Sequence, residues 1–327
     1  MEFEPTFQLQ LLSEKDYPRE IGHVRDMLQP VARTGVCISF DGCSLAYTYY
    51  PAKNSRGSVV IVHGFTEFSE KYTELAWYFL NMGYSVFLYD QRGHGHSSRY
   101  TENLCVVHVR DFHDYAKDLS CFLEKVVLPV SPNSPVYLLG HSMGGAVVLR
   151  YLLDGGTASK RIVLSSPMLC PKTGRAPASL LKAVLPLKAL HGGWTAPYRK
   201  SGSRFNPNPR FPTRSDGSYV RFRDNLELRV KDPYYQTSTG SVRWLYEALH
   251  VQDCLQHPEQ FQKIRTKVLL IRAGKDLVVD EKPLYRLKEL LPHCEIAALQ
   301  DAKHAIYTGT NAVLRPYLEL LFRFLNG

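Results

Sequence analysis

Three side chains far apart along the chain have the types needed to build a serine nucleophile: Ser142, Asp276 and His304. A serine hydroxyl is a poor nucleophile alone; it needs a base, and the base needs a third group to orient it. Ser142 lies in Gly140-His141-Ser142-Met143-Gly144-Gly145, after the apolar run 135–140 and before helical periodicity over 143–153. A sharp strand-to-helix turn at this spacing strains the serine backbone, and side chains at positions 140 and 144 would collide across it. Gly145 lets the helix pack close to the strand. The Oγ then stands at a helix N-terminus, where backbone N–H groups and the dipole favour a developing anion.

Such a turn predicts the chain order serine, acid, histidine, with the last two just past later strands. Asp276 follows the apolar run 267–272 in Ala273-Gly274-Lys275-Asp276, and His304 follows 295–299 in Asp301-Ala302-Lys303-His304. Asp276 would orient His304, which would take the serine proton. Asp280 is the rival acid, but Asp280-Glu281 reads as the cap of the next helix, and Asp301 reads as a turn residue. Two backbone donors are expected for the oxyanion: Met143 N–H, and Phe65 N–H from His63-Gly64-Phe65, where the run 59–62 ends. His63 itself reads as a packing and hydrogen-bonding residue of that loop. His94-x-His96 raises the question of a metal, yet the further ligands of a binuclear hydrolase are missing nearby. A glycine-rich loop steering the main chain past the site is the better reading, and neither metal nor cofactor is expected.

The elements that must position these groups are legible as alternation. Short apolar runs at 58–62, 84–89, 135–140, 161–165, 267–272 and 295–299 are separated by amphipathic stretches at 70–82, 108–127, 143–153 and 281–291, with a last helix at 311–325. That pattern means a mostly parallel sheet with helices on both faces. A hairpin around Asp41-Gly42 precedes it at 37–51. Over 168–256 the alternation gives way to Pro, Arg, Ser and aromatic residues. Loops beyond about 12–15 residues are uncommon in compact domains, so this stretch is expected to be a lid subdomain roofing the carboxyl ends of the strands. The chain divides as 1–36, an N-terminal extension; 37–167, the first part of the core; 168–256, the inserted lid; and 257–327, the second part of the core.

Among the 327 residues, 44% hydrophobic and 22% charged content is ordinary for a globular protein. The net charge of +9 is local: residues 168–250 hold 14 Lys and Arg against 5 Asp and Glu, and the rest balances at 26 against 26. A basic module attracts anionic lipid or nucleic-acid phosphate, though a solvated charged face reads as well. Seven scattered cysteines without a Cys-x-x-Cys pair suggest reduced thiols. Residues 1–21 do not read as a signal peptide, and no apolar run approaches the roughly 18 residues of a membrane span. The expected setting is cytoplasmic, peripheral to the membrane at most.

With these residues assembled, the chain resembles an α/β-hydrolase of the monoacylglycerol lipase and bacterial lysophospholipase branch. The resemblance rests on His63-Gly64-Phe65-Thr66-Glu67 with Lys71-Tyr72, on Asp90…Arg92-Gly93-His94-Gly95…Ser97, on His108-Val109-Arg110-Asp111-Phe112, and on the Gly140–Gly145 turn. It covers nearly everything from Cys37 onward, most loosely in the insertion, where Tyr219-Val220-Arg221-Phe222 through Asp232-Pro233 still fits. Thr66 and Phe68 stand where the family often has Gly and His, and Gly309 where it often has a carboxylate. The resemblance implies a serine hydrolase of monoacyl lipids, a lysophospholipid or a monoacylglycerol, with Glu67 and Lys71 holding the oxyanion loop in shape. As residues alone, Glu67 and Lys71 read equally as an exposed i,i+4 helical pair. The apolar stretch 180–190, with Lys182 and Lys188, then Trp194, Tyr198, Phe205 and Phe211, suits an acyl tunnel and a peripheral contact with an anionic membrane surface; ordinary core packing explains the aromatics as well. An esterase for other small esters, a proline-type aminopeptidase and a non-enzymatic binding protein are the alternatives, and no nucleic-acid partner is expected.

Overall fold

A computed structural model describes residues 1–174, 176–212 and 216–327. Every residue of β3 (Ser58–Val62), β4 (Ser85–Tyr89), β6 (Val136–His141) and β7 (Arg161–Ser165) is buried. Strands like these need cover on both faces. With β1 (Arg33–Ile38), β2 (Ser44–Tyr50), β9 (Lys267–Ala273) and β10 (Cys294–Leu299) they form one eight-stranded sheet, ordered β1-β2-β4-β3-β6-β7-β9-β10. The hairpin partners β1 and β2 run antiparallel, as do β2 and β4; every other neighbouring pair is parallel. The strand period sends Val60 and Val62 into one core and Val59 and Ile61 into the other. This is the mostly parallel sheet with helices on both faces that the alternation predicts.

One face is covered by α3 (His113–Phe122), α5 (Met143–Leu153) and α9 (Lys282–Leu290); the other by α1 (Tyr17–Leu28), α2 (Thr73–Asn81) and α10 (Asn311–Asn326). The helix expected over 108–127 is shorter and broken. Val106–Val107 (β5) pairs with Thr239–Gly240 (β8), so the helix starts only at His113. Beyond Phe122 it widens to π geometry over Leu123–Val127 and ends in a single α turn, Leu128–Val130 (α4). The expected boundary between residues 36 and 37 falls inside β1. Residues before it are packed: Phe3, Leu12, Tyr17 and Ile21 are buried in the α2–α10 core.

The chain between β7 and β9 carries α6 (Ala178–Gly192), α7 (Tyr219–Lys231) and α8 (Val242–His250). It is tied down by charge as well as by apolar contact. Arg221 binds both oxygens of Glu74 on α2, at 2.8 and 2.7 Å, and Arg25 of α1 forks onto Asp224 with two bonds of 2.8 Å. Bidentate, largely buried guanidinium–carboxylate pairs fix orientation as well as proximity. Gly309, in the position where a carboxylate was noted as missing, contributes its carbonyl to the same Arg221.

Candidate active site

β6 delivers Ser142 to the start of α5 with φ 50° and ψ −116°, a left-handed φ that costs an L-residue energy unless its surroundings enforce it. The enforcement is visible. Ser142 N–H donates to Ser165 O on β7 at 3.0 Å, and Met168 N–H donates to Ser142 O at 2.8 Å. A Cβ on Gly144 would stand 2.0 Å from Val62 O, and one on Gly140 would stand 2.6 Å from Gly144 O. The two glycines are therefore required by close backbone approach. Gly145 leaves room for Pro167, 2.7 Å from where its Cβ would be.

His304 Nε2 lies 2.8 Å from Ser142 Oγ, and its Nδ1 lies 2.8 Å from Asp276 Oδ2. The other carboxylate oxygen of Asp276 accepts the N–H groups of Val278 and Val279 at 2.8 and 3.0 Å. The acid cannot swing away, Nδ1 donates to it, and Nε2 is left to accept the serine proton. Burial pushes the Asp276 carboxyl up, but the hydrogen bond and charge of His304 and the two backbone donors outweigh it and hold it below the usual range. The rival acids lie elsewhere. Asp280 caps Lys282 N–H at 3.1 Å, and Asp301 pairs with Lys275 at the surface.

The loop following β3 is held from behind. Glu67 accepts Gly64 N–H at 2.7 Å, Lys71 Nζ at 2.7 Å, Tyr72 Oη at 2.5 Å and Tyr307 Oη at 2.7 Å. The side chains of Glu67 and Lys71 are each only 9% exposed, so they are not a solvated helical pair. Burial raises the Glu67 carboxyl, but Lys71, His141 and these hydrogen bonds prevail and keep it well below the usual range. His63 accepts Gln91 N–H on Nε2 at 3.0 Å, so its Nδ1 donates to Gly64 O at 2.8 Å. His94 Nε2 accepts Thr66 N–H at 3.2 Å, and His96 reaches away to Asp232 at 2.8 Å. Those two histidines serve the loop and the insertion separately. Thr66 sits at φ 59°, and Arg229 of α7 clamps its carbonyl. Among the described residues, neither Phe65 N–H nor Met143 N–H is committed to a protein acceptor.

Spacing anticipated the meeting of Ser142, Asp276 and His304 because each follows its own strand end. It did not reveal Tyr307, His141 or Arg229. Tyr307 meets Glu67 across 240 residues of sequence, a contact only the fold creates. Burial lowers His141, beside Ser142, to about 4, so the imidazole is neutral at pH 7. Above the site lies a cavity of about 830 Å³. Ser142, His304 and Phe65 form its floor; Leu181, Leu185 and Phe205 of the insertion wall it. Phe65 stacks on Trp244 of α8 at 3.6 Å between ring centroids. The arrangement can deliver a serine oxygen to an electrophilic carbonyl beneath an apolar roof.

Residues 53–311 match the model of a family described as serine aminopeptidase, S33. The chain is 28% identical over 289 residues to the probable lysophospholipase L2 of Haemophilus influenzae, across 86% of this chain and 88% of that protein. It is 25% identical over 282 residues to human monoglyceride lipase, across 86% and 84%. A solved structure of a soluble variant of monoglyceride lipase from Saccharomyces cerevisiae, in complex with a substrate analog, shares the fold with a TM-score of 0.73. The two are 21% identical, over 90% of this chain and 94% of that one.

Proposed function

The chain belongs to the serine aminopeptidase S33 family, within the α/β-hydrolases, and from that premise we propose that it is a serine hydrolase cleaving the ester of monoacyl lipids, lysophospholipids or monoacylglycerols. The observation that carries the chemistry is the unbroken line from Asp276 through His304 to Ser142, two contacts of 2.8 Å. Ser142 Oγ attacks the ester carbonyl while His304 Nε2 takes its proton. The N–H groups of Phe65 and Met143 hold the oxyanion, a term worth several kcal/mol in such sites (about 3 per donor). The alcohol leaves with the proton from His304. Water, deprotonated by the same imidazole, then attacks the acyl-serine, and the fatty acid departs.

The lid, residues 168–256, supplies the apolar wall that an acyl chain needs. An aminopeptidase would need a free carboxylate for the substrate amine. The two acids lining the cavity do not offer one: Glu67 is surrounded by its four donors, and Asp216 accepts from Thr308 at 2.8 Å. The outer face of α6 carries exposed Leu180, Leu187 and Leu190 beside the basic residues of the lid, which supports peripheral contact with an anionic lipid surface. All seven cysteines are unpaired, in keeping with a reducing, cytoplasmic setting. Among the described residues no helix is long and apolar enough to cross a membrane.

Turnover of lysophosphatidylcholine, a monoacylglycerol and p-nitrophenyl butyrate, measured side by side, tests the substrate class. Hydrolysis of the first two, abolished in Ser142→Ala, is expected. Hydrolysis of p-nitrophenyl butyrate alone would reduce the protein to a small-ester esterase.

A further inference from the structure

One wall of the cavity carries a cation that, among the described residues, has no carboxylate in direct contact. Arg229 lines the cavity from α7, and its guanidinium donates only to main-chain carbonyls, Thr66 O on the oxyanion loop and Thr237 O at 3.1 Å. Its Nε is buried with no acceptor, and among the described residues no carboxylate lies within the 4.0 Å of an ion pair. Arg92 and Arg221 are ringed by acids, Asp41, Asp114 and Asp118 around the first and Glu14 and Glu74 around the second; Arg161 and Arg99 also donate to main-chain carbonyls, but of these Arg229 is the one that lines the cavity. Desolvation pulls Arg229 below the usual arginine value despite the charges of Glu67 and Asp216 nearby, whereas in Arg92 and Arg221 directly hydrogen-bonded acids overcome the same burial. One turn earlier on α7, Asn225 lines the same cavity with its Oδ1 also buried and unpartnered. An amide can turn an N–H to an anion.

We propose that Asn225 and Arg229 form a subsite for an anionic group on the alcohol side of the substrate: the phosphate of a lysophospholipid without a compensating cation. This rests on the reading of Ser142 as the nucleophile. The two sides of the cavity differ in kind. Leu181, Val184 and Leu185 of α6 offer an apolar surface for the acyl chain, while α7 places the guanidinium against Thr66, next to the oxyanion donor Phe65. A phosphate close to the scissile ester falls within reach of the second side. Lys172, Lys188, Arg199 and Arg204 also line the cavity, and its two acids are already engaged, so the field throughout favours an anion. A choline group would find neither a free carboxylate nor relief from these cations.

The test is the ratio of kcat/KM for a 1-acylglycerol 3-phosphate to that for the 1-monoacylglycerol of the same short acyl length, both monomeric, with the matching phosphocholine ester as a third substrate. The wild type is expected to prefer the anionic ester, then the zwitterion, then the uncharged one. In Arg229→Gln the ratio falls about 10- to 100-fold, the worth of a charge-assisted hydrogen bond, and Arg229→Lys recovers part of it. Asn225→Asp, which sets a negative charge beside the phosphate, lowers it too. Any general damage to the oxyanion loop affects both substrates and cancels in the ratio. A ratio unchanged in Arg229→Gln would reduce Arg229 to a latch on Thr66 and overturn the subsite. So would a wild type that favours the uncharged ester, while leaving the hydrolase reading intact. Failure to hydrolyse any of these, or p-nitrophenyl butyrate, would overturn the hydrolase reading and the subsite with it.

Discussion

In the function proposed above, Glu67 supports chemistry that it does not itself perform. Its carboxylate collects one backbone N–H, one ammonium and two phenols, and so fixes the loop that carries Phe65. Replacing one partner of a buried ion pair leaves the other desolvated, at a cost of about 3–5 kcal/mol. Glu67→Gln should therefore lose about 3 kcal/mol of stability at neutral pH. The sign of the pH dependence follows from the lowered carboxyl: its stabilisation is complete above the ordinary carboxylate range and fades as pH falls toward the folded value. Urea denaturation at a series of pH values should show wild type and Glu67→Gln converging below about pH 4. A constant gap across that range would mean the charge of Glu67 contributes nothing. The histidines nearby do not compete for this role. Burial lowers His63, His94 and His141, so all three are neutral spacers at pH 7.

At the scale of elements, what the sequence revealed depended on how local the cause was. Strands β3, β4, β6 and β7 are apolar on both faces because both are covered, and such runs are visible without knowing the neighbours. The N-terminal limit of α3 is set by the β5–β8 ladder, whose partner lies in the insertion, so periodicity alone ran the helix too far upstream. α7 was obscured for another reason: it spends Arg221, Asp224 and Arg229 on bonds to distant residues, which dilutes its apolar stripe. α6 is the opposite case, an apolar helix with Pro186 inside and only Leu185 and Ala189 buried. Its outer leucines need a partner, and a lipid surface is the one proposed above. Leu187→Ser with Leu190→Ser should weaken co-sedimentation with phosphatidylglycerol vesicles at least tenfold, since each leucine withdrawn from lipid forfeits about 1.5 kcal/mol or more. Unchanged sedimentation would place the membrane contact elsewhere.

Over the whole molecule, the sheet brings together what the chain separates. Ser142 and His304 stand 162 residues apart in sequence, and Asp276 stands 28 from His304. They were legible because each ends a recognisable strand and the order is constrained. The subsite on α7 was not, because what singles out Arg229 is its place on the cavity wall beside Asn225 and against Thr66, a juxtaposition only the fold creates. The proposed hydrolysis depends on Ser142 being the nucleophile. Its most direct test is reaction with a fluorophosphonate followed by peptide mass spectrometry. One equivalent of label on Ser142 is predicted, lost in Ser142→Ala and slowed at least about a thousandfold in His304→Ala. Label on another residue, or a Ser142→Ala protein that still hydrolyses esters at the wild-type rate, would contradict it.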